Sequence, residues 1–215
     1  MDYKKKQIFE RERSHTQLKL GDISTSEIEL RDIIKAWAAI SIAFAIVLSK
    51  PIFSADFYAK FIIASLTVGI GFIFHEMGHK ITAQRYGCFA EFRSFDNMLI
   101  LAIAMSFFGI VFAAPGAVMI SGHVSKPKNG KISAAGPVVN LILALIFLAL
   151  TFINLPNLFK TIAYYGFIIN SWLALFNMIP FWLFDGYKIL KWNKIVYVSI
   201  VSFAFMFMLL QTIIK

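Results

Sequence analysis

The sequence predicts an all-α polytopic membrane protein, and its composition and its long apolar runs are the observations that predict this fold class. Of its 215 residues, 59% are hydrophobic and only 15% are charged. Soluble domains are more polar than this. Several apolar runs reach the length of about 20 residues that a helix needs to cross the hydrocarbon core of a bilayer. We therefore expect five or six transmembrane segments in a lipid bilayer.

In chain order, a polar tail at residues 1–32 precedes a first transmembrane helix at residues 33–53. The tail is expected to be a cytoplasmic or interfacial arm, because charged residues of both signs are frequent in it. The last transmembrane helix belongs to a terminal unit at residues 187–215, which begins with a cytoplasmic loop. The apolar segments after the first helix cover residues 57–83, 98–120, 134–153, 161–184 and 195–214.

A short motif with metal-binding spacing lies inside the second apolar segment. His75 and His79 are four residues apart, so on a helix they share one face and can both reach one Zn²⁺ ion. Glu76 lies between them, where such motifs use a glutamate to act on water. Ionisable residues inside membrane segments are rare and usually functional. We interpret the motif as a metal site; the alternative is two buried histidines that only hydrogen-bond to neighbours.

Catalytic zinc normally takes three protein ligands, so the two histidines require a third. Asp185 is the natural candidate, because among the acidic residues from Phe57 onward it alone ends an apolar segment. Pro180 should break the helix just before it, and a membrane tolerates a broken helix only beside protein or a water-filled cavity. The alternative is that Asp185 and Gly186 form the exit turn of a span.

The position of Asp185 also constrains the topology. A shared ion requires an even number of crossings between the histidines and Asp185, yet three apolar segments lie between them. We predict that residues 98–121 form a re-entrant hairpin, because the Ala-Ala-Pro-Gly turn signal at residues 113–116 precedes a short β-compatible stretch. With a cytoplasmic N-terminus, only four of the 21 Lys and Arg then lie outside, which satisfies the positive-inside rule for a multi-pass cell-membrane protein. These four are Lys50, Lys60, Lys160 and Lys215.

Three ordered blocks of residues resemble the site-2 protease family of intramembrane zinc metalloproteases. The first block is the His-Glu-Met-Gly-His motif, the second resembles the family's GPxxN, and the third resembles its NxxPxPxLDG. Trp182 stands where the family usually has its second proline, and Phe184 where it usually has leucine. The residues of the second and third blocks are Gly136, Pro137 and Asn140, and then Asn177, Pro180, Asp185 and Gly186.

The resemblance covers residues 57–186 and implies that they form a catalytic membrane core of three helices beside the re-entrant hairpin. It implies that His75, His79 and Asp185 bind one Zn²⁺ per chain and that Glu76 is the general acid and base. The implied activity is hydrolysis of a peptide bond within or near a transmembrane segment. A transmembrane protein is therefore the expected substrate.

The family blocks also imply that Asn177 and Asn140 hold the substrate backbone or the oxyanion. For Asn140, a buried amide that satisfies helix backbone is an equal alternative. His123 lies in a polar loop and is expected to be an ordinary solvated histidine.

Two other functions compete with proteolysis. A metal-ion transporter should show inverted repeats and a path of ionisable residues, and we find neither in the sequence. A catalytically inactive membrane scaffold would not require the intact motif together with the aspartate. The net charge of +9 does not indicate nucleic-acid binding, because the basic residues lie in the tail and the short loops. The oligomeric state is not indicated.

Overall fold

The structure is a computed structural model that describes residues 17–20, 23–49, 55–111 and 115–214. Most of these residues are helical, as predicted. Residues 1–16 and 21–22 of the predicted tail and residues 50–53 of the first predicted span lie outside the described residues. The helices are α1 (Glu27–Leu48), α2 (Ala55–Ala64), α3 (Ile70–Arg85), α4 (Asp96–Ser106), α5 (Lys126–Thr151), α6 (Asn157–Asn177), α7 (Asp185–Trp192) and α8 (Lys194–Leu210).

Two of the described helices are long and apolar enough to cross a membrane. A π-helical segment, Ser65–Gly69, joins α2 to α3 and makes one continuous helix of 30 residues over Asp56–Arg85. The second is α5, with 26 residues, while α4 and α8 are shorter apolar helices. The larger number of spans, five or six, stays a prediction.

The described part of the chain also contains two small antiparallel sheets, which the all-α prediction did not include. Strand β1 (Gln17–Leu20) pairs with β2 (Ile23–Ser26), and β3 (Phe89–Ser94) pairs with β4 (Gly116–Ser121). The physical reason for β3 lies at the end of α3. Gly87 has a φ of 75°, a conformation that ends helices and that favours glycine, so the chain leaves α3 in an extended direction.

The β3–β4 pairing places residues 89–94, just before the segment that the sequence predicts as a hairpin, beside residues 116–121 at the end of that segment. Phe89 lies opposite Ser121, and Ser94 lies opposite Gly116. Between the strands, α4 has 11 residues, so it is about 16 Å long, roughly half the thickness of a hydrocarbon core. The chain leaves through α4 and is back beside the end of β3 at Gly116, where β4 begins. Strand β4 contains the stretch expected to be β-compatible. Residues 113 and 114 of the predicted turn lie outside the described residues.

Helix α1 begins at Glu27, so the last residues of the predicted tail form its first turns. The Ser26 side chain caps it by accepting a hydrogen bond from the Glu29 N–H at 3.2 Å. Just before the cap, the backbone of Ser24 makes two hydrogen bonds with the Gln84 side chain of α3. The segment that precedes α1 is therefore held against the helix that carries the histidine motif.

Helix α5 lies at the centre of the bundle, where it contacts α3, α6 and α7. Glycine allows the close approach of α6, because a Cβ at Gly166 would lie 2.5 Å from the Phe147 ring. The helices α3, α5 and α6, with the start of α7, surround the candidate site.

Candidate metal centre

Helix α3 presents two imidazoles on one buried face. His75 and His79 are one turn apart and only 5% and 8% exposed. Their Nε2 atoms are 3.0 Å apart, and their rings meet edge to face. This is the shared face that the four-residue spacing predicts.

Asp185 reaches the same point from a distant part of the chain. Its Oδ2 lies 3.3 Å from His75 Nε2 and 3.0 Å from His79 Nε2. One ligand atom from each residue lies within 4.8 Å of the others, and all three residues are buried. The structure thus brings together the three residues that the sequence singles out as metal ligands.

The local backbone explains how Asp185 arrives there. Helix α6 ends at Asn177 and the chain becomes helical again at Asp185, so the predicted break around Pro180 is confirmed. Gly186 lies directly against the Met178 backbone, where any Cβ would collide with the carbonyl group. A glycine after the aspartate therefore allows α7 to begin close to the end of α6.

The outer nitrogens of both imidazoles have fixed partners. His75 Nδ1 lies 2.6 Å from Asn140 Oδ1, and His79 Nδ1 lies 2.8 Å from Ile132 O. Because both partners are acceptors, each Nδ1 carries the proton and donates, which leaves the Nε2 lone pairs on the side of Asp185. Outer hydrogen bonds of this kind orient ligating histidines. Two neutral imidazoles and one carboxylate form a donor set that fits catalytic zinc.

Helix α5 closes over the imidazoles at Gly136. A Cβ on this residue would lie 2.5 Å from His79 Nε2 and 2.6 Å from His75 Nε2. Any larger residue would therefore occupy the space in front of both nitrogens. This open cradle is a second observation that fits a metal ion held by His75, His79 and Asp185.

A chain of buried amides connects His75 to α6. Asn140 is fully buried, and its Nδ2 donates to Gly71 O and to Asn170 Oδ1, both at 3.0 Å. Asn170 was missed by the sequence reasoning, although an amide within the apolar segment 161–184 was a signal that could have revealed it, since a buried polar group needs a partner. The contacts of Asn140 match the buried-amide alternative, and its contact with substrate stays a prediction.

Glu76 lies between the two histidines, and its Oε2 accepts a hydrogen bond from the Val118 N–H at 3.1 Å. Val118 lies opposite Phe92 in the β3–β4 sheet, and the Phe92 N–H points away from β4 to Glu29 Oε1 at 2.8 Å. The backbone groups of this pair therefore face outward from the two strands. The outer edge of β4 thus faces Glu76.

Two other residues of the sequence analysis have ordinary surroundings. Asn177 ends α6, and its side-chain amide donates to Leu173 O at 2.9 Å within the same helix. Its role in holding substrate stays a prediction. His123 is exposed after β4, as expected for a solvated histidine. Lys188 lies closer to the site, with its Nζ 3.6 Å from Asp185 Oδ1.

Comparisons with known proteins bear on the chemistry of this centre. No family model matches the chain, and no solved structure matches it. Over 159 residues the chain is 44% identical to a protein of Methanocaldococcus jannaschii named "Putative zinc metalloprotease", a match that covers 73% of this chain and 82% of that protein. Over 123 residues it is 26% identical to a second protein of that organism, named "Zinc metalloprotease", covering 57% of this chain and 31% of that protein.

Proposed function

This chain belongs to the zinc metalloprotease family of its 44%-identical relative, and from that premise we propose that it is an intramembrane peptidase of the site-2 protease type. Its substrate in this proposal is a transmembrane protein, cut within or near the membrane-spanning segment. One observation carries the proposal. His75 and His79 lie on a helix that is long and apolar enough to span a bilayer, and Asp185 lies close to both of them.

The surface of α5 supports a membrane location. Ile142, Leu145 and Ile146 are each more than half exposed, although α5 is the central helix of the bundle. An apolar stripe of this kind is costly in water and is typical of a surface that contacts lipid. Together with the two long apolar helices, it favours a multi-pass protein of the cell membrane.

The β3–α4–β4 unit supports the re-entrant topology. Its two ends are hydrogen-bonded neighbours, so the segment between them makes no net crossing if β3 lies at one membrane surface. The histidine motif and Asp185 are then separated by two crossings, α5 and α6. The positive-inside rule gives this arrangement a cytoplasmic N-terminus.

The chemistry that zinc supplies when it is bound is Lewis-acid activation of a carbonyl oxygen and of water. His75, His79 and Asp185 hold the ion in this proposal. Glu76 takes a proton from the attacking water and later delivers it to the leaving amine, as a general base and then a general acid. Asn140 orients the His75 ring, because its Oδ1 accepts the Nδ1 proton.

A helical substrate must unwind before its peptide bonds can be reached, because its carbonyl groups are bonded within the helix. The outer edge of β4 offers an unwound segment a place to bind as an added strand. Val118 supports this route, since its N–H points away from β3 towards Glu76. Substrate bound along β4 would thus pass beside the proposed general base.

The test uses the full chain purified in detergent with zinc and a single-span membrane protein as substrate. We expect about one zinc per chain and cleavage that a zinc chelator stops. Glu76→Gln should keep the zinc and slow cleavage by roughly 10²-fold to 10⁴-fold, the usual contribution of general acid–base catalysis. His123→Ala is the matched control, because it removes an exposed histidine that has no proposed role.

Other outcomes would favour the competing functions. Zinc flux into liposomes without cleavage of any membrane substrate would favour a transporter. Stable capture of membrane proteins without cleavage or zinc binding would favour an inactive scaffold. Equal cleavage by wild type and Glu76→Gln would remove the proposed mechanism.

A further inference from the structure

A completely buried carboxylate lies outside the metal centre. Glu29, near the start of α1, is 0% exposed. Its Oε2 accepts hydrogen bonds from the Thr25 hydroxyl at 2.7 Å and from Lys80 Nζ at 2.5 Å. Its Oε1 accepts the Phe92 N–H at 2.8 Å. Both oxygens of Glu29 are therefore used, and its partners come from three different elements.

Lys80 is the cation of this pair and is itself only 2% exposed. It follows His79 directly on α3. A buried ion pair is seldom retained for stability alone, because the cost of removing both charges from water offsets most of their attraction. The proposed peptidase chemistry uses neither side chain, so the pair requires a separate explanation.

The position of Phe92 supplies that explanation. Phe92 lies directly opposite Val118 in the β3–β4 sheet, and the Val118 N–H contacts Glu76. Glu29 thus holds one side of this residue pair while the other side faces the proposed general base. Because Glu29 also bonds to Lys80, it connects Phe92 of β3 to α3, the helix that carries Glu76.

A second carboxylate of α1 acts on the same strand edge. Asp32 Oδ2 accepts the Ser94 N–H at 3.1 Å, two residues after Phe92 on β3. The outward N–H groups of Phe92 and Ser94 are therefore both occupied by side chains of α1. Side chains of α1 therefore cover the outer edge of β3 at both positions, so an added strand would have to use the edge of β4, where the Val118 N–H contacts Glu76.

We propose that Glu29, together with Lys80, is a positioning residue that fixes the position of β3 and β4 relative to α3. In this role it keeps the edge of β4 beside Glu76 and directs an extended substrate to that edge. The inference rests on the proposed peptidase function, but its structural part can be measured without any cleavage.

Two double variants separate positioning from general stability. Glu29→Gln with Lys80→Gln keeps a neutral hydrogen-bonded pair and an acceptor for the Phe92 N–H. Glu29→Leu with Lys80→Leu removes that acceptor and leaves an apolar pair, a replacement that proteins often tolerate. Both variants lack the charges of Glu29 and Lys80. They differ mainly in two hydrogen bonds, the one to the Phe92 N–H of β3 and the one between the side chains at positions 29 and 80.

Both variants should bind about one zinc per chain. We expect the glutamine pair to keep kcat/KM within about threefold of wild type. The leucine pair should lower kcat/KM by roughly tenfold to a hundredfold, because a displacement of about 1 Å at a reacting geometry has that effect. Amide hydrogen exchange over residues 116–121 should be faster in the leucine pair and unchanged in α6. Glu27→Gln, an exposed glutamate of the same helix turn, should behave as wild type in both measurements.

Equal exchange and equal kcat/KM in the two double variants would overturn the proposal. Loss of zinc from the leucine pair would also overturn it, since the pair would then be required by the whole core. If wild type cleaves nothing, the proposed function fails, while the exchange difference over residues 116–121 still decides whether Glu29 positions β4.

Discussion

The backbone N–H of Val118 donates a hydrogen bond to Glu76 Oε2 at 3.1 Å, which joins the β4 edge to the proposed general base. Residues 42 positions apart in the chain meet there. The contact holds the Glu76 carboxylate against the outer edge of β4, next to the two histidines. A substrate strand that binds along β4 would therefore lie within reach of the same carboxylate.

Replacing Val118 tests this contact. Val118→Pro removes the N–H, so it should lower cleavage at least about tenfold, because the hydrogen bond that orients Glu76 is lost. Zinc content should stay near one per chain, because Val118 is not one of the three candidate ligands. Val118→Ala keeps the N–H and is the matched control, which should cleave within about threefold of wild type. Equal losses in the two variants would mean that side-chain packing matters and the N–H does not.

Removing Asp185 should weaken the metal site. Asp185→Ala leaves two histidine ligands, so we expect zinc affinity to fall at least about a hundredfold and cleavage to disappear with it. Equilibrium zinc titration against a competing chelator measures the affinity. Asp56→Ala is the control, since Asp56 is an exposed carboxylate at the far end of the continuous helix that carries the two histidines. Unchanged zinc affinity in Asp185→Ala would exclude the aspartate as a ligand.

The re-entrant topology predicts which exposed positions share a side of the membrane. In a chain with Cys88→Ser, single cysteines at His123 and Lys191 should react with a membrane-impermeant maleimide from the cytoplasmic side. A cysteine at Lys160 should react only from the opposite side. If residues 98–120 crossed the bilayer instead, labelling at all three positions would exchange sides. The labelling pattern therefore tests the hairpin independently of zinc and of cleavage.

The ligand set could be predicted from the sequence because its chemistry is local or scarce. The four-residue spacing of His75 and His79 places both on one helix face, and few acidic residues in the apolar region compete with Asp185. The β-compatible stretch at residues 117–121 was visible for a similar reason, because its β-branched residues follow a proline–glycine turn signal. The structure places His75, His79 and Asp185 together and forms a strand at Gly116–Ser121, while the role of the three residues as metal ligands stays a prediction.

The supporting contacts could not be predicted in the same way. Lys80 and Glu29 are 51 positions apart, and Asn140 and Asn170 are 30 apart, so no local pattern relates them. Their pairing depends on how α1, α5 and α6 pack around α3. Strand β3 was missed as well, because Gly87 marks only the end of α3, whereas the strand itself is held by hydrogen bonds to β4 and to the carboxylates of α1.

The amide chain behind His75 gives a further prediction. Asn140→Leu should lower zinc affinity by roughly tenfold to a hundredfold, the usual effect of removing an outer partner of a ligating histidine. Asn170→Leu should have a smaller effect in the same direction, because its hydrogen bond is to Asn140, which in turn holds His75. Asn177→Leu is the matched control for zinc binding, since its amide bonds within α6. Zinc affinity equal to wild type in Asn140→Leu would mean that the His75 ring is held by packing alone.

Gly136 provides the sharpest test of the metal cradle. In Gly136→Ala the new methyl carbon would lie about 2.5 Å from both Nε2 atoms, closer than real Cβ contacts, so α5 or the imidazoles must move. We expect zinc binding to be lost while the chain keeps its helical content by circular dichroism. Gly166→Ala is the matched control, because its Cβ would meet the Phe147 ring at the same distance and not an imidazole. That variant should lower the thermal unfolding temperature and still bind about one zinc. Zinc loss in both variants would indicate a general packing defect, whereas zinc binding in Gly136→Ala would show that the space beside Gly136 is not needed by the ion.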